Sequence, residues 1–209
     1  MKRLIIVGAG GFGQEVLRVA QDFQLQKKEW EIGGFLDDNP RALEGYEYDL
    51  PIIGSIRDYL PHPGDCFVMG IESPQDKLAI AEKLRQRRAE FVSLIHPTVE
   101  IGNYVSVGVG CVLCPHAAIS ADVKLGDYVT LNAHATLGHD AILGDGCTIS
   151  SFGFISGAVK LGKGVYVGIH GCILPRVQVG DFATVGAGSV VIKNIKSQTT
   201  VIGVPARKL

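Results

Sequence analysis

The 209-residue sequence has almost no net charge and few aromatic residues. It has 20 lysine and arginine residues and 21 aspartate and glutamate residues, for a net charge of −1, and aromatic residues make up 7% of the chain. Because nucleic-acid-binding domains usually carry a basic face, this balance argues against a nucleic-acid partner. No apolar stretch approaches the roughly 20 residues that a membrane-spanning helix needs, so we expect no membrane association.

The sequence also lacks the marks of export. It begins MKRLIIVGAGG, in which two basic residues precede an apolar run that is short and breaks into glycines, so we expect no signal peptide. The five cysteines form no disulfide-like framework, which suits a reducing compartment. These features predict a cytoplasmic protein.

Residues 1–94 alternate apolar strands with amphipathic helices. The pattern predicts strands at RLIIVG, EIGGFLDD, DCFVMGI and EFVSLI, helices at 11–24 and 74–88, and a loop at DDNPRALEGYEYDLP. Such alternation is typical of a small parallel sheet with helices on its faces. We therefore expect a half-Rossmann-like α/β domain over residues 1–94.

From residue 95 the rhythm changes to a six-residue repeat. A frame that starts at Ile101 runs to Lys196 through sixteen hexads without an insertion. The first position is always aliphatic, the fifth is small in every hexad but the last, and the second is glycine in nine of the sixteen. Hexapeptide repeats predict a parallel β-helix with three hexads per coil, aliphatic side chains inward and small residues at the corners. We expect this β-helix, with a short tail, over residues 95–209.

The glycines after the first strand match a phosphate-binding pattern. Gly8-Ala-Gly10-Gly11-Phe12-Gly13 reads G-x-G-x-x-G between a strand and a helix, and the next strand ends on two acids. Glycines let a backbone approach a phosphate, a helix N-terminus favours an anion, and an acid can hold ribose hydroxyls. Since only about ninety residues precede the repeats, nucleotide or nucleotide-sugar binding fits better than a dinucleotide; a purely structural glycine turn is the alternative.

Histidines recur at the coil spacing of eighteen residues. The column that they form comprises His116, His134, Phe152 and His170. We interpret it as an aromatic column on a flat face. The alternative is a metal site, because the spacing of His134 and His139 resembles the zinc-binding histidines of γ-class carbonic anhydrases. The third ligand position of that family falls on Thr98, which favours no metal.

Two other candidates are a cysteine pair and an isolated histidine. Cys111 occupies an inward position and Cys114 an outward one, so they cannot share one metal ion. His139 takes an outward third position among glycines, and Gly157 follows it one coil later. This placement is consistent with a histidine that borders a bound ligand and equally with an ordinary surface histidine.

The order of the motifs resembles that of bacterial sugar-nucleotide acetyltransferases of the hexapeptide-repeat family, over the whole chain. The segments that carry the resemblance are IVGAGGFGQEV, FLDD, LIHPTVEIG, LNAHATLGHDAILGDG, VGAGSVV and VIGVPARKL. The family includes enzymes that N-acetylate UDP-, dTDP- or GDP-linked 4-amino-4,6-dideoxysugars and the related sialic-acid O-acetyltransferases. The resemblance implies a left-handed β-helix, acetyl-CoA as co-substrate without a metal, and a homotrimer with acetyl-CoA between subunits.

The resemblance also implies roles for individual residues. His139 corresponds to the general base and Asp140 to a residue that orients it. The residues that correspond to the nucleotide-sugar site are Gly8, Gly10, Gly11, Phe12, Gly13, Asp37, Asp38, Gly70 and Asn132. Those that correspond to the acetyl-CoA site are Thr148, Gly157, Ile169 and Ala187.

Three positions depart from the family pattern. Phe12 stands where many members have histidine, Thr148 where some have a second active-site histidine, and Gly70-Ile-Glu72 where Asn or Asp is frequent. The sequence predicts an N-acetyltransferase for a nucleotide-linked 4-amino-4,6-dideoxysugar. The alternatives are an O-acetyltransferase for a sugar hydroxyl and, from another class, a γ-carbonic-anhydrase-like metal protein or an inert scaffold.

Overall fold

A computed structural model describes residues 2–26 and 29–209. The elements of its first part are β1 (Lys2–Val7), α1 (Gly11–Gln26), β2 (Trp30–Leu36), β3 (Ile52–Gly54), β4 (Asp65–Met69) and α2 (Pro74–Gln86). The four strands form a parallel sheet in the order β3-β2-β1-β4, as the alternation of strands and helices predicts. The short strand β3 lies just after the segment that we predicted as a loop. Within the described residues no helix is long and apolar enough to cross a membrane.

The start of α2 follows from its sequence. Ser73 caps the helix, and its Oγ accepts a hydrogen bond from the backbone N–H of Asp76 at 3.4 Å. Pro74 occupies the first turn, where its missing N–H costs nothing, and Asp76 complements the positive end of the helix dipole. These residues fix where the helix begins, directly after the loop at Gly70–Glu72.

The segment EFVSLI does not form the single strand that we predicted. Phe91 makes an isolated bridge to Phe67 of β4, and Leu94–Ile95 forms a separate strand that pairs with the β-helix. Ser93 lies between them, where its Oγ donates to the carbonyl of Gly108 at 2.8 Å and accepts from the N–H of Cys111 at 3.1 Å. The side chain of Ser93 thus joins the chain to the first coil, which divides the predicted strand.

The second part is a left-handed parallel β-helix of short strands. They are β5 (Leu94–Ile95), β6 (Glu100–Ile101), β7 (Ser106–Val107), β8 (Val112–Leu113), β9 (Ala118–Ile119), β10 (Lys124–Leu125), β11 (Thr130–Leu131), β12 (Thr136–Leu137), β13 (Ile142–Leu143), β14 (Thr148–Ile149), β15 (Phe154–Ile155), β16 (Lys160–Leu161), β17 (Tyr166–Val167), β18 (Cys172–Ile173), β19 (Gln178–Val179), β20 (Thr184–Val185), β21 (Val190–Val191), β22 (Thr200–Ile202) and β23 (Arg207–Lys208).

Every third strand of the solenoid belongs to the same flat face. The first face contains β5, β8, β11, β14, β17, β20 and β22, with β23 antiparallel at its end; the second contains β6, β9, β12, β15, β18 and β21; the third contains β7, β10, β13, β16 and β19. Partners up to β21 are eighteen residues apart, as Lys124 is from Ile142, which confirms three hexads per coil, whereas Thr184 of β20 and its partner Thr200 of β22 are sixteen apart.

The fourth residue of each hexad makes the corner. From Tyr104 to Gly188 every fourth-position residue has a positive φ, between +53° and +71°. The small fifth residue points inward directly after this turn, as the fully buried Cys111 and Cys147 do. We call the corner between the first and second faces the first corner, that between the second and third faces the second corner, and that between the third and first faces the third corner.

The α/β part packs on the first face of the β-helix. The cluster around α1 includes Leu94, Val112 and Cys114, and the cluster around α2 includes Tyr128 at the third corner. Cys114 points away from the solenoid interior as predicted, but this contact leaves it only 2% exposed. The two halves of the chain therefore share apolar cores at the first face, and the second face is left uncovered by the α/β part.

Candidate active site

His139 and Asp140 form the turn at the second corner that follows β12. Nδ1 of His139 lies 2.7 Å from Oδ2 of Asp140, and the two side chains are 69% and 62% exposed. Asp140 has φ +58°, a left-handed conformation that aspartate adopts more readily than most residues. A neutral imidazole that donates its Nδ1–H to the carboxylate keeps its lone pair on Nε2. The pair therefore presents an accessible basic nitrogen.

Gly157 lies beside this histidine in the next coil. A Cβ added to Gly157 would lie 2.7 Å from Nε2 of His139, closer than real Cβ contacts come. The imidazole ring thus occupies the space that any larger residue at position 157 would fill. This contact explains the glycine physically, and it holds the ring against the solenoid.

The glycines of the nucleotide motif divide into two groups. A Cβ on Gly13 would overlap the carbonyl oxygen of Gly8, and one on Gly70 would lie 2.7 Å from Cα of Gly13. These three glycines therefore allow β1, α1 and β4 to pack closely. An added Cβ on Gly10 or Gly11 would meet no atom within 4 Å. The start of α1 is thus open at these two residues, and helix N-termini attract anions.

Phe12 does not have the role that we predicted. Its side chain is only 9% exposed and packs in the apolar core between α1 and the sheet. An apolar ring in this core cannot contact a nucleotide sugar, so the prediction is wrong for this side chain. The backbone N–H of Phe12 belongs to the first turn of α1, where helices leave such groups without an intrahelical acceptor.

Asp37 and Asp38 both hold protein groups. Asp37 accepts hydrogen bonds from the N–H groups of Ala9 and Asn39, each at 2.8 Å, and so ties the glycine loop to the end of β2. Asp38 accepts from the N–H of Arg57 at 3.0 Å and from Oγ of Ser55 at 2.9 Å. These two hydrogen bonds lower the pKa of Asp38. A carboxylate has about four acceptor positions, so both acids keep capacity for a ribose hydroxyl.

Asn132 lies at the end of β11 on the first face, against the α/β part. Its Nδ2 donates to Oε1 of Glu72 at 2.5 Å, and only 6% of the residue is exposed. Burial, and then the charge of Glu72, raise the pKa of Glu15 on α1. Glu72 was absent from the predicted site. Its position directly after β4, at the carboxyl edge of a parallel sheet, was the signal that pointed to it.

The four predicted acetyl-CoA residues do not lie together. Gly157 is at the second corner, whereas Ile169, 47% exposed, and Ala187, also exposed, occupy the first corner. Thr148 is fully buried on the first face, where its hydroxyl bonds to Lys77 and to the carbonyl of Glu72. A side chain without any solvent contact cannot touch a co-substrate, so the prediction for Thr148 is wrong.

Within one chain the second face separates two groups of candidate residues. Asn132 and the glycine loop lie on the side of the first face, with Ile169 near them at the first corner, while His139 stands at the second corner. A ligand that touches both groups in one chain must span the second face. Two chains placed side by side bring a first corner next to a second corner without this requirement.

The histidine column is present, at a corner. His116, His134, Phe152 and His170 stack with centroid distances of 5.0, 4.8 and 5.0 Å and interplanar angles of at most 16°. They occupy the first corner rather than the flat face that we predicted, because each is a fourth-position residue with positive φ. His134 and His139 lie at opposite ends of β12. Across residues 2–26 and 29–209, no three His, Cys, Asp or Glu side chains are grouped as metal ligands would be.

Comparisons with known proteins agree with this architecture. The family model described as the PglD N-terminal domain matches residues 3–84. The acetyltransferase domain of PglB from Neisseria gonorrhoeae is similar over 100% of both chains, with 27% identity and a TM-score of 0.90. A second structure of that domain contains acetyl coenzyme A. No curated protein sequence matches the chain.

Two further structures extend the likeness. PerB from Caulobacter crescentus, in complex with CoA and GDP-perosamine, is 25% identical over 100% of this chain and 98% of its own, with a TM-score of 0.89. WeeI from Acinetobacter baumannii shares the fold, at 24% identity, full coverage of both chains and a TM-score of 0.88. The chain thus shares its two-part architecture with the PglB acetyltransferase domain and with PerB over its whole length, and its α/β part matches the PglD N-terminal domain.

Proposed function

We propose that the chain transfers the acetyl group of acetyl-CoA to the amine of a nucleotide-linked 4-amino-4,6-dideoxysugar. The observation that carries this proposal is the 2.7 Å bond between His139 and Asp140, which leaves Nε2 of an exposed imidazole free to accept a proton. The neighbouring structures support the two substrates, since one holds acetyl coenzyme A and another holds CoA and GDP-perosamine.

The proposed reaction is direct attack on the thioester. The amine nitrogen forms a bond to the acetyl carbonyl carbon, the carbon–sulfur bond breaks, and CoA leaves as the thiolate. His139 takes the proton that the nitrogen loses, because imidazole gains and loses protons in the range where enzymes work. Asp140 keeps the proton of the neutral ring on Nδ1 and balances the charge of the imidazolium.

Each substrate is assigned a part of the site. The nucleotide is proposed to lie at the open start of α1, near Gly10, Gly11 and the acids Asp37 and Asp38. The sugar would extend toward Asn132. Acetyl-CoA would run past Gly157 of one subunit and along Ile169 and Ala187 of its neighbour, where the exposed side chain of Ile169 offers apolar contact.

A homotrimer is part of this proposal. Phe154, Leu174 and Ile192 are 45%, 38% and 42% exposed and extend from three coils of the second face. Contiguous apolar patches of this kind mark interaction surfaces. A cyclic trimer with this face between subunits would bring the second corner of one chain to the first corner of the next in three equivalent sites.

Turnover of acetyl-CoA on a panel of amino-sugar nucleotides tests the function. UDP-, dTDP- and GDP-linked 4-amino-4,6-dideoxysugars would be offered with the corresponding 4-hydroxy sugars and free sialic acid as competitors. We expect release of CoA with one of the amino sugars and formation of the amide. Acetylation of a hydroxyl acceptor alone would replace the N-acetyltransferase with an O-acetyltransferase, and turnover of none would reject both.

A further inference from the structure

The side chain of Lys77 on α2 is fully buried between the two halves of the chain. Its Nζ lies 2.9 Å from Oγ1 of Thr130, 2.9 Å from Oγ1 of Thr148 and 3.4 Å from the carbonyl oxygen of Cys147. The ammonium group of a helix in the α/β part thus donates to two strands of the β-helix, β11 and β14. All three acceptors are neutral.

Burial of this ammonium group is unfavourable for the free energy of folding. Burial removes an ammonium group from water, and neutral oxygens return less than a carboxylate would. The desolvation lowers the pKa of Lys77 to about 8. A methionine of similar length would fill the same space without this cost. The hydrogen bonds of Lys77, which a methionine could not make, are therefore what this side chain adds at the interface.

The hydrogen bonds continue from Lys77 to the sugar end of the cleft. Thr148, which accepts from Lys77, donates its own hydroxyl hydrogen to the backbone carbonyl of Glu72 at 2.8 Å. The carboxylate of Glu72 then accepts from Asn132 at 2.5 Å. Two residues earlier in the same loop, Gly70 packs against Gly8 and Gly13 of the nucleotide motif. One short loop therefore borders the glycine motif at one end and is tied to Lys77 at the other.

We propose that Lys77 is a positioning residue for the nucleotide sugar. By fixing Thr148 and the Glu72 backbone, it sets the place of the Glu72–Asn132 pair relative to the glycine loop, and so the direction in which the sugar leaves the nucleotide. The inference rests on the proposed function, because it takes the cleft between the glycine loop and Asn132 as the nucleotide-sugar site. Lys77 itself touches neither substrate.

Lys77→Met tests this role against Lys83→Met, the same substitution at an exposed position of the same helix. For the sugar nucleotide that the wild type acetylates, we expect Lys77→Met to lower kcat/KM by about 10- to 10²-fold, mostly through KM. Its KM for acetyl-CoA should stay within about twofold, because that ligand is assigned to other surfaces. Lys83→Met should match the wild type in all three parameters.

Two controls keep the outcome decisive. Thr130→Val removes one acceptor of Lys77 and keeps the shape of the side chain. It should raise KM for the sugar nucleotide by a smaller factor and leave KM for acetyl-CoA unchanged, and it replaces Lys77→Met as the test if that variant does not fold. Calorimetric titration with the UDP-, dTDP- and GDP-linked amino sugars measures binding without turnover. If the wild type binds one of them but acetylates none, the proposed reaction fails, while weaker binding by Lys77→Met would still support the positioning role. Unchanged binding and KM in a folded Lys77→Met, or equal changes for both substrates, would overturn it.

Discussion

At the scale of single residues, the proposed role of His139 as general base rests on an exposed ring nitrogen beside Asp140. We predict that His139→Ala lowers turnover by about 10²- to 10⁴-fold, the usual contribution of one acid–base group. The melting temperature and subunit assembly should stay near wild type, because the side chain is exposed. Steady-state kinetics and thermal denaturation check both. His134→Ala and His116→Ala, in the stacked column, should remain within a few-fold of wild type; near-normal turnover by His139→Ala would refute its role as the base.

The contribution of Asp140 can be separated from its backbone turn. Asp140→Asn keeps the shape and the left-handed φ of +58° but can offer its amide to Nδ1, which favours the wrong tautomer. We expect kcat to fall by about tenfold or more, less than in His139→Ala because the pair is exposed to water. Asp122→Asn is the matched control, since Asp122 has φ +60° in the same column one coil earlier and has Ala121 beside it in place of histidine. Equal effects of the two substitutions would assign the loss to the turn.

The contact between Gly157 and His139 gives a further prediction. The added Cβ of Gly157→Ala would meet Nε2 of His139 at 2.7 Å, so the ring must move, and we expect kcat to fall by about 10-fold or more. In the double variant with His139→Ala the same substitution should cause little additional loss, because the ring that it displaces is gone. A double-mutant cycle in kcat measures this coupling. Independent, multiplicative effects would show that Gly157 acts through something other than His139.

At the scale of elements, the periodic segments were the predictable ones. Sixteen hexads repeat one local pattern, so the strands, the coil size and the inward positions follow from the sequence. The left-handed turn at the fourth position does not follow from residue type, because residues as different as Tyr104, His134 and Ala158 adopt it here. The strand expected at EFVSLI was divided by side-chain hydrogen bonds of Ser93, which no propensity encodes.

The candidate site was predictable only where its residues belong to local motifs. Motif spacing indicated the glycine loop, and the resemblance to the family pointed to His139 and Asp140. The buried environment of Thr148 depends on where the α/β part packs against the β-helix, and local periodicity contains no information on that contact. Lys77 was likewise missed, since a lysine in an amphipathic helix normally faces solvent.

The helix α2 provides a prediction about stability and pH. The pKa of Lys77 is about 8 in the folded chain, against an ordinary value of 10.5, so between these pH values the unfolded chain binds more protons than the folded one. Stability contributed by Lys77 is therefore present above pH 10.5 and is lost as pH falls through about 8. We expect the difference in free energy of unfolding, wild type minus Lys77→Met, to rise by about 2 to 3 kcal/mol from pH 7 to pH 10. Urea denaturation of both proteins measures it.

The corresponding control is again on α2. Lys83→Met should show the same difference from wild type at both pH values, because its side chain is exposed. A constant difference for Lys77→Met as well would mean that its ammonium is solvated in the folded protein. Burial raises the pKa of Cys111 to about 11 and that of Cys147 to about 12, and loss of the Lys77 charge would raise both further, so these thiols stay largely protonated up to pH 10 in all three folded proteins.

At the scale of the whole molecule, the predicted trimer depends on the second face. We expect light scattering to give three times the chain mass of 22.3 kDa for the wild type and a lower mass for Leu174→Glu, which places a charge in the apolar patch. Ile142→Glu is the control, because Ile142 is equally 38% exposed but lies on the third face. A monomeric wild type at working concentration, or dissociation by Ile142→Glu alone, would contradict this assembly.

The eighteen-residue coil has a consequence for how length changes affect such a chain. Removing eighteen residues from the regular run, for example 159–176, would shorten the prism by one layer and leave every later residue at its own corner. Removing six residues between Ile169 and Ala187, for example 173–178, would instead rotate all later residues by one face, so that Ala187 would move away from the column of Ile169. In this fold a deletion therefore either shifts the later coils along the axis or rotates them, and only multiples of eighteen would keep both walls of the proposed intersubunit groove aligned. Loops that deviate from the repeat, such as the one before β22, are the places where other lengths can be accommodated.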